Sequence, residues 1–291
     1  MSRILLTGNQ GFFGPRFENV HRPNHTILGV DKNEVDIVDQ PAVQSLVEGF
    51  QPNIVIHAAA ITATAFSDAY PDLTRQINVD GAVHVAKAAQ SVGAKLIFFS
   101  TEQVFNGNTQ PGPYSETDTP FPDTMYGTTK LEAEEKIRSI MKDVWILRFT
   151  WMFGLPEYHG IVNPNVVWDA LQMLIYNTPK AISTREYRGL TWVYHMIDRI
   201  LGVLDLPSDT YHIGSHNDLS RYEIFQHIFH EMGVANRMEE LLIPDNEKYP
   251  DRPRDVRLNT DKLSALGIDF PSSVEAVREC LSVFSLLESS Q

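Results

Sequence analysis

The chain has 291 residues, 43% of them hydrophobic and 21% charged, with a formal net charge of -13. That length can bury a large core, in one big domain or in one domain with a smaller lobe. An acidic surface repels nucleic-acid phosphates and anionic lipid, so neither is an expected partner, and an anionic substrate needs its own local Arg or Lys.

In chain order, Ile4-Leu5-Leu6 reads as a first strand and runs into Thr7-Gly8-Asn9-Gln10-Gly11-Phe12-Phe13-Gly14. Glycines at 8, 11 and 14 allow a tight turn and let backbone approach a pyrophosphate, and the helix that follows offers free N–H groups and its positive dipole end. Thr26–Val30 is the second strand and ends at Asp31, 17 residues after Gly14. A carboxylate there accepts hydrogen bonds from adenosine ribose hydroxyls and repels a 2′-phosphate, which favours NAD, whereas the ammonium of Lys32 accommodates NADP. Val43–Phe50 is helical, and Ile54-Val55-Ile56 is the third strand, with His57 at its end as a packing or hydrogen-bonding residue.

Leu73–Val92 carries helical spacing, and Lys95–Phe99 is the fourth strand. Thr101 stands just past it, where parallel sheets bind ligands, and its hydroxyl can hold a substrate carbonyl oxygen. Tyr126 and Lys130 are four residues apart at the start of a helical pattern and so share a face. A nearby ammonium stabilises a phenolate, and this spacing predicts a lowered tyrosine pKa and a proton donor near neutral pH. A second such pair, Tyr176 and Lys180, is separated by the helix breaker Pro179. Val144–Leu147 is the fifth strand. Nearly continuous apolar strands alternating with helices predict a parallel, doubly wound α/β sheet with right-handed crossovers.

After Gly154 the pattern loosens. Helices are expected at Val166–Tyr176, Met196–Leu204, Arg221–Met232 and Ser273–Leu287, with strands at Lys180–Ser183 and Thr210–Ile213. We divide the chain into a nucleotide-binding domain over 1–154 and a smaller α/β substrate lobe over 155–291, interleaved with the first. Glu223, His227 and His230 lie on one helix without a His-Glu-x-x-His pattern, and no metal site is expected. Cys280, the single cysteine, excludes an intrachain disulfide and fits a reducing compartment; its surroundings predict a packed core thiol. No apolar run approaches the roughly 18 residues of a membrane span, and the N-terminus leads directly into a strand, so the expected location is the cytoplasm.

These residues resemble the extended short-chain dehydrogenase/reductase superfamily, and within it the dTDP-4-dehydrorhamnose reductase-like branch. The matching segments are Thr7–Gly14, His57–Ala60, Asn78–Gly81, Ser100–Phe105, Tyr126–Glu134, Arg148–Gly154 and Arg252–Asp255. The resemblance implies a Rossmann-like domain, NAD or NADP as cofactor, a nucleotide-sugar substrate and, by family habit, a homodimer. It assigns Tyr126 as proton donor, Lys130 as its electrostatic partner and Thr101 as the carbonyl-binding hydroxyl. Cofactor contacts are implied for Gly8, Asn9, Gln10, Gly11, Phe12, Phe13, Gly14, Asp31, Lys32, Asp36, Ile37, His57, Ala58, Ala59, Ala60, Asn78, Tyr126, Lys130 and Phe149. Substrate contacts are implied for Thr62, Thr101, Glu102, Trp151, Arg188 and Arg252. The chain departs from the branch at Thr62–Ser67, at Glu102-Gln103, and at Arg188–Trp192, all on the substrate side. The expected activity is reduction of a keto group on a nucleotide-linked sugar. The alternatives are an epimerase or dehydratase that recycles its cofactor, and a cofactor-binding regulatory subunit resembling the methionine adenosyltransferase β subunit.

Overall fold

The computed structural model of the chain describes residues 1–157 and 160–287. Its first half alternates β1 (Arg3–Thr7), α1 (Gly14–His21), β2 (Thr26–Val30), α2 (Gln40–Phe50), β3 (Ile54–His57), α3 (Ala82–Ser91), β4 (Lys95–Thr101), α4 (Met125–Ile140) and β5 (Val144–Phe149). A sixth strand, β6 (Thr210–Ile213), comes from the second half and pairs with β5. The six form one parallel sheet in the order β6-β5-β4-β3-β1-β2, a Rossmann-like α/β arrangement.

Both faces of the sheet are covered, which is why its strands read as unbroken apolar runs. Leu5 and Val55 pack with Val43, Val47, Val85, Ala86, Ala133 and Ile137 from α2, α3 and α4 on one side. Ile4, Leu6 and Ile56 pack on the other side with Phe17 of α1 and with Val193, Met196 and Ile197. That second core continues into Val166, Phe225, Val277 and Cys280, so the C-terminal region is built onto the sheet through a shared interior. Cys280 is fully buried, and burial followed by the nearby Glu157 charge pushes its thiol up to about 12.

Several local features differ from the sequence reading. The segment expected as one helix over Leu73–Val92 is a short helix Pro71–Arg75, a π-helical turn Gln76–Gly81, and α3. Asn78 in that turn accepts from the Ile61 amide (2.8 Å) and donates to the Ile61 carbonyl (3.0 Å) and the Thr129 hydroxyl (3.2 Å). Wide turns of this kind re-aim a side chain where function needs it, and here it ties the loop after β3 to α4. The segment expected at Met196–Leu204 starts earlier, as helix Val193–Ile200 followed by a 3-10 turn Leu201–Asp205.

Helix Val166–Tyr176 ends at a left-handed Asn177 (φ 50°), and Lys180 bonds Asp169 (2.8 Å), so the second Tyr–Lys pair is parted. Glu223 closes a capping box with Ser220, and His227 meets the Val274 carbonyl (3.3 Å). Three short parallel pairs shape the second half: Trp151–Phe153 with Leu190–Trp192, Lys180–Ser183 with Leu242–Asp245, and Glu186–Tyr187 with Arg254–Asp255. No helix among the described residues is long and apolar enough to cross a membrane.

Candidate active site

The strand order reverses at β1, which lies between β2 and β3. Crevices at the carboxyl ends of strands beside such a reversal are where open α/β sheets hold ligands. Here the chain leaves β1 through Gly8, whose φ of +74° and whose 2.8 Å clearance from the Ala59 backbone exclude a side chain. A Cβ at Gly14 would overlap the Asn9 backbone, whereas one at Gly11 would meet only the Gly8 carbonyl, at 3.2 Å. The loop's own packing therefore requires Gly8 and Gly14, whereas Gly11 lines the cavity described next.

Helix α1 starts at Gly14 with no side-chain hydrogen bond from its N-cap, Phe13. Its first-turn N–H groups therefore have no capping side chain, the arrangement that suits an anion at a helix N-terminus. Buried Arg16 fixes the loop from behind, donating to the Phe12 carbonyl (2.7 Å), the Leu155 carbonyl (3.1 Å) and Glu157 (2.7 Å).

A cavity of about 430 Å³ opens at this point. Thr7, Gly8, Gly11, Asp31, Lys32, Asp36, Ile37, Ala58, Ala59 and Ala60 line it, joined by Val35, Ile61, Phe66, Leu73 and Ile77. Asp31 accepts from the Lys32 amide (2.7 Å) and, more loosely, from the Gln10 amide (3.4 Å), while the Lys32 side chain is exposed. Glycine turn, uncapped helix end, apolar walls and terminal carboxylate together fit a nicotinamide dinucleotide.

Beside the cavity, β4 ends at Thr101 and α4 carries Tyr126 in its first turn. Thr124 caps that helix by accepting from the Gly127 amide (3.2 Å), which orients the turn. Burial raises the Tyr126 phenol well above its ordinary value; a Thr101 hydrogen bond opposes the rise and the Glu102 charge adds to it. The lowered phenol expected from the Lys130 spacing is not what folding produces. The Lys130 ammonium lies 4.1 Å over the Phe98 ring, beside His57, and burial dominates the tyrosine. Neutral at physiological pH, Tyr126 still carries the proton a donor needs.

Lys130 is 2% exposed and makes no hydrogen bond or ion pair among the described residues. Burial brings its ammonium down to about 7, against the opposing pull of Glu134. His57 sits 2.7 Å from the Thr7 hydroxyl, and burial with the Lys130 charge holds it down at about 3, hence neutral. Behind Lys130, Arg148 on β5 meets Glu134 through two bonds (2.7 and 3.0 Å), and the Ser100 hydroxyl donates to the same carboxylate.

Lys130 makes a pH prediction. Between about 7 and the ordinary 10.5, the unfolded chain holds a proton on this residue that the folded chain has released, so stability rises with pH across that window. Lys130→Met should lack this increment. Urea midpoints at pH 7 and pH 9.5 for the two proteins measure it, and parallel profiles would refute the buried ammonium.

On the far side, a groove of about 920 Å³ runs from Thr64 and Thr124 to Asn108, Tyr249 and Arg252. Arg221, Lys248 and Arg254 give it positive charge around Glu186. Burial pushes the Glu186 carboxyl up, but Arg188, Arg254, Arg221 and Lys248 together draw it down to about 2. Arg252 donates to the carbonyls of Gly107 and Asn108, which joins this segment to the loop after Thr101.

The fold thus brings Thr101 and Glu102 to Tyr126, while Lys130, one turn further along α4, meets Phe98 and His57. Trp151 stands nearby under the Arg188 guanidinium (4.7 Å). Phe12, Phe13 and Phe149 are buried in the core, with Phe149 packed on Phe99 at 4.4 Å. Asn9 turns to Glu18 (3.2 Å), Gln10 and Thr62 are exposed, and Asn78 acts through Ile61. Sequence reasoning missed Glu186, Arg221, Lys248 and Arg254 as groove residues. Only the Arg252–Asp255 segment carried a signal for any of them.

Comparison with known proteins adds three findings. A family model described as the RmlD substrate binding domain matches residues 1–286. The spore coat polysaccharide biosynthesis protein SpsK of Bacillus subtilis is 28% identical over 97% of this chain and 97% of its own length, and methionine adenosyltransferase 2 subunit beta of Pongo abelii is 29% identical over 91% of this chain and 83% of its own. The crystal structure of dTDP-4-dehydrorhamnose reductase from Bacillus anthracis in complex with NADP matches with a TM-score of 0.85 at 26% identity, over 97% of this chain and 99% of that one.

Proposed function

This chain belongs to the RmlD substrate binding domain family and is an NAD(P)-dependent oxidoreductase of the extended short-chain dehydrogenase/reductase type; from that premise we propose that it reduces a keto group on a nucleotide-linked sugar, with Tyr126 as proton donor. The observation that carries the reading is Tyr126 in the first turn of α4, its phenol within hydrogen-bond reach of Thr101 at the carboxyl end of β4, in a chain that also holds a dinucleotide-sized cavity at its glycine turn.

In the cavity, Gly8, Gly11 and Asp31 would hold NAD(P)H, which would supply the hydride. The Thr101 hydroxyl holds the carbonyl oxygen beside the Tyr126 phenol. As negative charge grows on that oxygen, Tyr126 passes its proton across, which keeps an alkoxide from accumulating. Lys130, whose ammonium makes no hydrogen bond or ion pair among the described residues, stabilises the phenolate left behind. Arg252, Arg254 and Lys248 hold the diphosphate along the groove, supplying locally the positive charge that the acidic surface denies. Residues 155–291 furnish most of this substrate side. At the adenosine end, the Asp31 carboxylate favours the ribose of NADH.

The similarity to methionine adenosyltransferase 2 subunit beta favours a second reading, a cofactor-binding partner subunit. One experiment separates the two. The protein is mixed with NADH or NADPH and with dTDP-, UDP- and GDP-linked keto sugars, and loss of the reduced-nicotinamide absorbance is followed. Oxidation that depends on one keto sugar supports the reductase. Tight cofactor binding without turnover on any sugar, together with one stoichiometric protein partner, supports the second reading.

A further inference from the structure

Glu134 is a buried carboxylate where the elements of the proton-donor site meet. It lies on α4, one turn beyond Lys130 and two beyond Tyr126, with its side chain 3% exposed. From β5 it accepts two Arg148 bonds, Nη2 at 2.7 Å and Nε at 3.0 Å. From β4 it accepts the hydroxyl of Ser100, the residue before Thr101. The carboxylate therefore ties the helix that carries Tyr126 to the strand end that carries Thr101. Lys130 has no such tie: its ammonium lies against the Phe98 ring of β4, and the titratable group facing it from β3 is His57, which is neutral. The charge that helps Lys130 keep its proton is that of Glu134, against a burial that brings the ammonium down to about 7.

A buried ion pair is weak evidence of stability, because desolvation offsets most of the attraction and apolar side chains of similar volume hold a core as well. The Glu134–Arg148 pair therefore calls for another role, and the local charges supply one. Arg148 and Lys130 are buried cations and Glu134 is a buried anion, so this part of the interior carries surplus positive charge while Tyr126 is neutral. Glu102, the other carboxylate acting on Tyr126, has Arg188 at 3.8 Å as its own counter-charge. The surplus comes into balance when the phenol gives up its proton. Fixed charges arranged for the state after a proton transfer favour that transfer and need no reorganisation as it happens.

We propose that Glu134 is a positioning residue for proton transfer: its carboxylate registers α4 against the end of β4 and, divided between Arg148 and the Lys130 ammonium, keeps that ammonium charged for the Tyr126 phenolate. The inference rests on the proton-donor reading above and deepens it.

The test is a series of urea midpoints between about pH 5.5 and pH 9.5 for the unaltered protein, Glu134→Gln and Arg148→Met, each with and without Lys130→Met. The unfolded chain holds a Lys130 proton that the folded chain releases, so stability rises with pH once the folded ammonium titrates, and subtracting the Lys130→Met counterpart isolates that rise. In Glu134→Gln the ammonium loses its anion, its proton affinity should fall roughly tenfold, and the rise should begin about one pH unit lower. In Arg148→Met the carboxylate is left to Lys130, and the rise should begin at higher pH. A merely structural brace would instead lower both variants equally at every pH. Ser100→Ala removes one donor from the carboxylate with little change in volume; it should displace the onset as Arg148→Met does, and it carries the test where Glu134→Gln does not fold. Onsets that stay with the unaltered protein, or move the same way in Glu134→Gln and Arg148→Met, overturn the inference. The midpoints need no substrate. Where a keto sugar is turned over, the alkaline fall of kcat should move with each onset, and a fall that stays fixed also overturns the inference. Displaced onsets in a protein that reduces no keto sugar would support the charge coupling and remove only the reductase reading.

Discussion

Tyr126→Phe should lower kcat for keto-sugar reduction by roughly 10²- to 10⁴-fold, the range that positioned proton transfer contributes, while leaving cofactor and nucleotide-sugar affinity close to that of the unaltered protein. The substitution removes one oxygen from a half-buried ring whose hydroxyl, among the described residues, is engaged with Thr101, so the α4 turn, capped by Thr124, keeps its support. The phenol is neutral because burial raises it, and a neutral donor is what a developing alkoxide requires. The pH profile follows from the same geometry. Activity should fall as pH rises through about 7, where Lys130 loses the charge that stabilises the departing phenolate. Single-turnover kinetics with saturating cofactor separates this from a binding defect: the chemical step slows and the substrate dissociation constant stays. Full turnover in Tyr126→Phe would assign the proton to another group and remove the central residue of the proposed mechanism.

The parts of this site that were legible in the sequence are those set by local geometry. A glycine at φ +74° after an apolar strand, and two residues four apart on a helix, are consequences of backbone and pitch. The first five strands were legible because both faces of the sheet are dry, whereas Thr210–Ile213 was read as part of the second half and joins the sheet only through its pairing with β5. What stayed hidden depends on contacts between distant segments. The π-helical turn at Gln76–Gly81 exists because Asn78 bonds across to Ile61 and Thr129, and no periodicity within the segment announces it. The cationic groove needs the pairing of Glu186–Tyr187 with Arg254–Asp255, which joins residues some 68 positions apart. Phe149, which the resemblance implied as a cofactor contact, packs its ring against Phe99 at the end of β5. Spacing also told which face Tyr126 and Lys130 share without telling what each side chain meets there, which is why the expected direction of the tyrosine shift was reversed.

The glycine loop separates what folding needs from what a ligand needs, and two substitutions expose the difference. Gly14→Ala should destabilise the protein by about 3 kcal/mol or more, above the usual overpacking cost because the clash is with backbone. Asn9, which the new methyl would strike, cannot yield easily: its amide bonds the Val30 carbonyl (3.3 Å), its side chain bonds Glu18, and Gly8 is tied to the same Val30 carbonyl (2.8 Å). Gly11→Ala meets only the Gly8 carbonyl at 3.2 Å, a conflict that a shift of a few tenths of an ångström relieves, and it removes conformational freedom from the unfolded chain. Its melting temperature should match or exceed that of the unaltered protein. Gly11 also lines the cavity, so the added methyl stands where backbone and pyrophosphate would approach, and cofactor affinity should fall at least tenfold, about 1.4 kcal/mol. Thermal melts and NADH calorimetry on both variants read the two effects separately. A Gly11→Ala protein that binds cofactor as tightly as its parent would show that this loop does not cradle a phosphate, and the assignment of the cavity would then have to rest on Asp31 and its apolar walls.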